Sequence, residues 1–355
     1  MSDRIAKLRA QFSGLNINAF LVTFQPHLRY LSGFSGSSGV GLVTEKACFL
    51  ITDGRYASQV RSEVHGWRVV ITSTSAFEEL QRRNRLRSGM RVGFDGNTVV
   101  LSQFQQLKRL FPKVKFLPKA DCIEKIAVIK DQTEIALIRE AVNITDTVFN
   151  EMLSVLRPGI TELDVAAEIS YRQRKHGAEA DAFETIVASG ERSSLPHGRA
   201  TTKVIQKGDI VTLDFGCVYK GYHSDMTRTV MIGKPNGEAK KIYSVVREAQ
   251  QRAIDATHSG MKAKDLDAVA RKHIREHGYD KYYRHSLGHG IGLQIHESPR
   301  ISVLSPAILA TGNVITIEPG IYIPKLGGVR IEDDVVITNG SCEVLTKSPK
   351  HLIVL

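Results

Sequence analysis

Apolar residues recur at helical spacing at the start of the chain, then give way to short runs of strand length. Ile5, Leu8 and Phe12 form a stripe that predicts a helix over residues 1–15. NAFLVT (18–23), GVGLVT (39–44) and ACFLIT (47–52) are rich in β-branched or aromatic residues and predict strands. WRVVIT and RVGFDG continue the series, and FEELQRRNRL and SQFQQLKRLF between them read as helices. GFSGSSGVG (33–41) lacks the Lys-Ser/Thr ending of a phosphate loop and reads as a tight turn before a strand. Residues 1–120 thus form a small α/β domain.

The pattern changes within LPKADCIEKI (117–126). Helical spacing takes over in residues 131–156, where Ile135, Ile138, Ala141, Ile144 and Phe149 share a side and Asp131 with Glu134 has the form of a capping box. RPGIT stops that helix, and Thr161 with Glu162 starts another that runs to His176. Hairpins of β character alternate with the later helices. The expected organisation is an α/β domain over residues 1–123 and an α+β domain over 124–355.

Composition adds limits. At 42% hydrophobic and 24% charged, the chain is ordinary for a globular protein. No apolar run approaches the ~20 residues of a membrane span. The start, MSDRIAKLRAQFSG, has no apolar h-region, so a cytoplasmic protein away from membranes is expected. Four scattered cysteines form no CxxC pair and read as buried free thiols. The net charge of +11 lies wholly in residues 1–120, which hold 18 Lys+Arg against 7 Asp+Glu. Its densest patch is QRRNRLRSGMR (81–91). No aromatic residue interleaves it and no nucleic-acid motif accompanies it, so a solvated basic face is favoured over a nucleic-acid surface.

The chemistry lies in the second domain. DIVTLDFGCVYKGYHSDMTRTVMIG (209–233) reads as a hairpin turning near Tyr219-Lys220, which sets Asp214 opposite Asp225. VITIEPGIYI (314–323) and GVRIEDDVVIT (328–338) form a second hairpin, and centring its loop on Lys325 sets Glu318 opposite Glu332. Opposed carboxylates within apolar strands either share a proton or enclose a cation. HSLGHGIGLQIHE (285–297) adds His285, His289 and His296 among alternate glycines. Four carboxylates with at least one imidazole have the ligand types of a two-metal site, and hard oxygen donors suit Mn²⁺ better than a thiolate-preferring metal.

At LDFG…SDMTRT, HSLGHGIGL..HESP, ITIEPGIY and GGVRIEDD the chain resembles metallopeptidases of the creatinase/prolidase/aminopeptidase P family. The resemblance implies a C-terminal pita-bread domain over residues 127–355. RYLSGFSGSSG and LITDGRYASQ resemble the smaller N-terminal domain of the proline-specific branch. It implies five metal ligands, Asp214, Asp225, His289, Glu318 and Glu332, holding two divalent ions, Mn²⁺ first, with Co²⁺ or Zn²⁺ as alternatives. It also implies substrate contacts from Phe183, His197 and His296, active-site roles for His285 and His296, and support from Arg330. Read alone, His197 would be a loop histidine between Pro196 and Gly198, and Arg330 a solvated strand residue.

The implied reaction is hydrolysis of the bond before proline in peptides with proline second. A metal-bridging hydroxide attacks and Glu318 acts as general base. The implied assembly is a homodimer. GFSGSSGVG favours an Xaa-Pro aminopeptidase, with Xaa-Pro dipeptidase (prolidase) as the alternative. A non-catalytic binding protein of the same fold is the remote reading. Methionine aminopeptidase lacks the N-terminal domain and creatinase uses no metal, so both fit less well.

Overall fold

The computed structural model describes residues 2–355. It divides into two compact units, Met1–Ala127 and Val128–Leu355.

The first unit opens with α1 (Ser2–Ala10) and α2 (Phe12–Leu15). One helix was expected here; the chain breaks at Gln11, while Ile5, Leu8 and Phe12 are all buried as the stripe requires. Met1, the first residue of that expected helix, lies outside the described residues. The unit continues through β1 (Ala19–Val22), α3 (Gln25–Ser32), β2 (Val40–Thr44), β3 (Cys48–Asp53), α4 (Gln59–Glu63) and β4 (Arg68–Thr72). It ends with α5 (Ala76–Arg82), β5 (Arg91–Asp95), α6 (Leu101–Leu110), β6 (Lys115–Lys119) and α7 (Glu124–Ala127). The strands form one sheet in the order β4-β3-β2-β1-β5-β6, parallel except for β2. The central strand β1 (AFLV) is apolar and buried along its whole length, as a strand covered on both faces requires. Ser75 caps α5 through a complete capping box with Glu78.

The second unit begins with α8 (Gln132–Met152) and α9 (Glu162–Lys175). Asp131 and Thr161 cap them, each in a capping box, with Glu134 and Asp164. Then follow β7 (Ala180–Asp181), β8 (Ile186–Ser189), β9 (Ile210–Phe215), β10 (Cys217–Tyr219), β11 (Tyr222–His223) and β12 (Met226–Met231). After α10 (Gly237–Ala256) and α11 (Ala263–Glu276) come β13 (Gly288–Gly290), β14 (Glu297–Ile301), β15 (Val314–Ile317) and β16 (Gly320–Ile323). The chain closes with β17 (Gly327–Arg330), β18 (Asp333–Ile337), β19 (Cys342–Val344) and β20 (Ile353–Val354). One core packs α8 and α9 against β8, β9 and β12, and a second packs α10 and α11 against β15 to β18. Two helix-covered sheets therefore present strands to a common middle.

The two hairpins differ in how well their registers follow the expected turns. In the first, Val218 pairs with His223 and Asp214 with Thr227, so Asp214 does not oppose Asp225. The turn sits one residue later than expected, at Lys220-Gly221, and both residues have positive φ (47° and 83°) as a two-residue hairpin turn requires. Moving a turn by one residue moves the pairing by two, and side chains two apart share a face. Asp214 and Asp225 therefore remain neighbours on a diagonal. In the second hairpin Ile317 pairs with Asp333 and Gly320 with Arg330, which puts Glu318 and Glu332 at facing positions between the two ladders. Lys325 has φ 67° at the centre of the connecting loop.

All four cysteines are unpaired. Among the described residues, no helix is long and apolar enough to cross a membrane.

Candidate metal centre

Five side chains converge in the second unit. Asp214 comes from the end of β9, Asp225 from the break between β11 and β12, and His289 from β13. Glu318 and Glu332 come from the breaks that follow β15 and β17. His289 Nε2 lies 3.6 Å from Asp225 Oδ2 and 3.5 Å from Glu318 Oε1. Asp225, His289 and Glu332 each offer a ligand atom within 4.8 Å of the others.

The backbone makes the strand breaks tight. A Cβ on Gly288 would lie 2.0 Å from the Thr316 carbonyl oxygen, and one on Gly290 would lie 2.2 Å from the Ser298 oxygen. What crowds these glycines is the neighbouring strands, β15 and the start of β14. Leu287 and Ile291 are fully buried on either side of His289, as extended alternation predicts. A buried ion pair, Lys130 Nζ to Glu297 Oε2 at 2.9 Å, closes the following turn, and Glu297 Oε1 accepts the Gln294 N–H at 2.9 Å.

The proton positions of the histidines follow from their acceptors. His289 Nδ1 faces the Gly290 carbonyl at 3.1 Å, and a carbonyl can only accept. Its proton is therefore on Nδ1, and Nε2 turns a lone pair toward two carboxylates. Burial pushes the His289 pKa down to about 4, so the ring stays neutral. His285 behaves likewise: Nδ1 donates to the Ser286 carbonyl at 2.8 Å, and burial followed by the Arg330 charge lowers it to about 3. His285 Nε2 accepts from the Tyr322 hydroxyl at 2.9 Å, and that hydroxyl accepts from Arg330 Nη1 at 2.7 Å. His296 has an exposed outer edge while its inner edge packs beside His289, ring centroids 4.4 Å apart; desolvation of that inner part, followed by the His197 charge, lowers its pKa.

Arg330 is the organising cation. It donates to Asp214 Oδ2 at 2.5 Å, to Thr227 Oγ1 at 2.9 Å and to the Pro196 carbonyl at 3.1 Å. Thr227 passes the link on, donating to Glu332 Oε2 at 2.6 Å. Burial alone would weaken the guanidinium's hold on its proton, but Tyr322, Asp214, Glu332 and Glu318 raise its pKa well above the ordinary value.

The carboxylates show the opposite strain. Burial, then mutual repulsion, raises Asp225 and Glu318 well above the carboxylate range, and burial with the Asp214 charge brings Glu332 to about 8. Asp214 is raised too, by burial against the pull of Arg330. Among the described residues, Asp214 Oδ1 and Asp225 Oδ1 are buried without a hydrogen-bond partner. Buried polar atoms are rarely left so. Orphaned oxygens, an outward imidazole lone pair and four carboxylates around one arginine fit divalent cations as the missing partner.

The remaining expected residues sit at the margin. His197 is exposed in the loop whose Pro196 carbonyl meets Arg330, and its charge acts on Asp214, His285 and His296. Phe183 is half-buried ahead of β8 and, among the described residues, makes no ring contact with the cluster. Sequence reasoning missed Tyr322, Thr227, Thr316 and Asp334. Thr316 Oγ1 accepts the His289 N–H at 3.1 Å, and Asp334 Oδ2 accepts the Asp225 N–H at 2.9 Å. Tyr322 and Thr227 stand four and two residues after Glu318 and Asp225, so strand alternation alone offered a signal.

Residues 136–339 match the metallopeptidase family M24, and residues 4–129 match the creatinase/prolidase N-terminal domain. The chain is 39% identical to the Xaa-Pro dipeptidase of Pyrococcus furiosus, over 99% of this chain and 100% of that one. The solved Xaa-Pro dipeptidase from Bacillus anthracis superposes with a TM-score of 0.96 at 41% identity, covering 100% of this chain and 99% of the other. The X-Pro aminopeptidase from Thermotoga maritima superposes with a TM-score of 0.91 at 40% identity, covering 96% and 98%.

Proposed function

The chain belongs to metallopeptidase family M24, with a creatinase-type N-terminal domain ahead of a pita-bread domain, and on that premise we propose that it is an Xaa-Pro dipeptidase. The observation that carries this reading is end-to-end similarity to chains named Xaa-Pro dipeptidases, joined to a buried carboxylate–imidazole cluster. It reverses the preference drawn from GFSGSSGVG. Xaa-Pro aminopeptidase is the second reading, favoured by the similarity to the Thermotoga maritima protein.

Asp214, Asp225, His289, Glu318 and Glu332 would hold two divalent ions, with Mn²⁺ suited to four oxygen donors and one imidazole. When bound, such ions supply the positive charge that activates water and polarises the scissile carbonyl. The chain's own groups do the rest. Glu318 reaches into the cluster with its second oxygen facing His285 Nδ1 at 4.0 Å, which supports Glu318 as the group that takes a proton from the attacking water. His296, neutral and exposed beside His289, offers an N–H to the developing oxyanion. His285 has both ring nitrogens engaged and a pKa of about 3, which supports positioning Tyr322 over delivering a proton to the leaving imino group. His197 and Phe183 are assigned to substrate binding at the rim. Proline lacks an N–H and has a fixed φ, so a pocket shaped to its ring would select it.

The test compares a Xaa-Pro dipeptide with a Xaa-Pro-Xaa tripeptide on metal-free protein reloaded with Mn²⁺. The dipeptide should be favoured at least about tenfold in kcat/KM, a difference of ~1.4 kcal/mol in transition-state binding. Equal or better turnover of the tripeptide assigns the aminopeptidase activity. No turnover with any divalent ion sinks both and leaves a non-catalytic binding protein.

A further inference from the structure

Between His289 and His296 the chain makes a tight turn that is clamped from behind. Gly290 pairs with Glu297 where β13 meets β14. Within the turn the Gly292 N–H donates to the Gln294 carbonyl at 3.2 Å, and the Gln294 N–H donates to Glu297 Oε1 at 2.9 Å. The Gly292 carbonyl accepts twice from His223, from its backbone N–H at 2.8 Å and from its ring Nδ1 at 3.0 Å. Glu297 Oε2 accepts from the Lys130 ammonium at 2.9 Å. The Lys130 side chain is 1% exposed and that of Glu297 11%. Lys130 stands just ahead of the Asp131 cap of α8, and its own N–H is tied to the Gly312 carbonyl at 2.8 Å, so the ammonium is presented from a fixed backbone. Its stem lies against the turn: a Cβ added at Gly292 would come within 2.8 Å of Lys130 Cε.

Burying an ammonium and a carboxylate is costly, and apolar side chains of similar volume would fill the same space without that cost. What the ions supply is a single register. The two oxygens of Glu297 have different tasks, one on Lys130 and one on the turn's backbone, so the buried cation fixes the turn through one carboxylate. His296 is the next residue back along the chain. Its ring meets the His289 ring with centroids 4.4 Å apart and, among the described residues, is held by no hydrogen bond. The backbone of the turn therefore sets where that ring stands. His289 has holds of its own, through the Gly290 carbonyl and Thr316 Oγ1.

We propose that Lys130 and Glu297 are positioning residues that hold the His296 ring beside the candidate metal centre, acting through the backbone of residues 294–297. The catalytic consequence rests on the reading of His296 as the group that meets the developing oxyanion. A donor of that kind works only where it is preorganised, and a misplacement of about 1 Å costs up to ~10²-fold in rate. The effect thus falls on kcat, while the metal ligands keep their own supports.

The experiment compares four Mn²⁺-loaded full-length proteins on a Xaa-Pro dipeptide and a Xaa-Pro-Xaa tripeptide: the parent, the paired variant Lys130→Met with Glu297→Gln, His296→Ala, and the combination of all three substitutions. Replacing both partners leaves no unpaired ion in the interior, so the fold is kept. The paired variant should retain its metal content and change KM little, while kcat falls about tenfold or more on whichever peptide the parent prefers. In the His296→Ala background the same replacement should change kcat less than about twofold, because the group it positions is gone. An unchanged kcat overturns the proposal. So does lost metal, or a tenfold fall that persists without His296, either of which makes the pair a support of the fold or of the metal centre. The ring resonance of His296 in Zn²⁺-loaded protein, identified by its absence in His296→Ala, gives a readout that needs no turnover, and it should broaden or split in the paired variant. A parent that hydrolyses neither peptide ends the peptidase reading, and that resonance then decides: one sharp line in parent and paired variant alike overturns the placement of His296 by the pair.

Discussion

His289 donates its Nδ1 proton to a backbone carbonyl and so presents a bare nitrogen to Asp225 and Glu318. Without a cation that arrangement sets lone pairs against lone pairs. Asp225→Asn should therefore abolish metal-dependent turnover yet stabilise the metal-free protein, because it removes one charge from a repelling buried group. A rise in melting temperature of roughly 2–4 °C corresponds to ~1 kcal/mol in a unit of this size. Calorimetry on chelated protein checks it. The same repulsion sets the pH response. Glu332 titrates near 8 in the folded, metal-free state, against ~4.3 for an unfolded glutamate. A raised carboxyl stabilises the fold at low pH and withdraws that stability as pH climbs through the folded value. The metal-free protein should thus melt progressively lower as pH rises from about 5 to about 8. Added Mn²⁺ should restore more stability at the upper end, where the carboxylates are ready to bind. A flat profile would mean the cluster is not dry.

At the scale of elements, the centre depends on strands that approach more closely than side chains permit. Gly288 packs against the Thr316 carbonyl, a backbone atom that cannot rotate aside. Gly288→Ala should cost about 1–3 kcal/mol and displace His289, so urea unfolding and metal content should fall together. Gly14→Ala is the control. It lies in α2 with nothing within 4 Å of the new Cβ, and should be neutral or stabilise by ~0.5–1 kcal/mol. Around these strands, Arg228 and Asp333 pair at 2.7 Å with almost no exposure, and Arg228 also binds the Glu332 carbonyl at 2.6 Å. Strand, ligand and buried pair are thereby one construction.

The whole molecule has separate cores. Leu21 belongs to the core of the first unit and Leu266 to the α10–α11 core of the second, and both are fully buried. Leu21→Ala and Leu266→Ala should each cost about 2–5 kcal/mol. In a calorimetric scan the first should lower one transition and the second the other. Only Leu266→Ala should lower the transition that Mn²⁺ raises at the carboxylate centre. A common shift in both variants would show one cooperative unit instead of two. The charge is divided in the same way, with the whole +11 in residues 1–120. Arg82 and Arg83 are partly neutralised there by their shared partner Glu79.

The order of carboxylates, the strand runs that carry them and the Asp131–Glu134 capping box were legible in the sequence, because alternation and capping are local. Alternation also explains why the misplaced turn in the first hairpin did no harm: a slip of two restores the same face, so Asp214 and Asp225 stay together although Thr227 is the true partner of Asp214. What the tertiary structure decided is everything that needs convergence from distant segments. Three histidines in HSLGHGIGLQIHE are equivalent as letters. Only the carbonyl at Gly290, the hydroxyl of Tyr322 and open solvent make His289 a lone-pair donor, His285 a positioned ring and His296 a free hand. The relay from Arg330 through Thr227 to Glu332 crosses about a hundred residues of chain and has no local signature. Periodicity tells a side chain which face to take; only packing tells it whom it meets there.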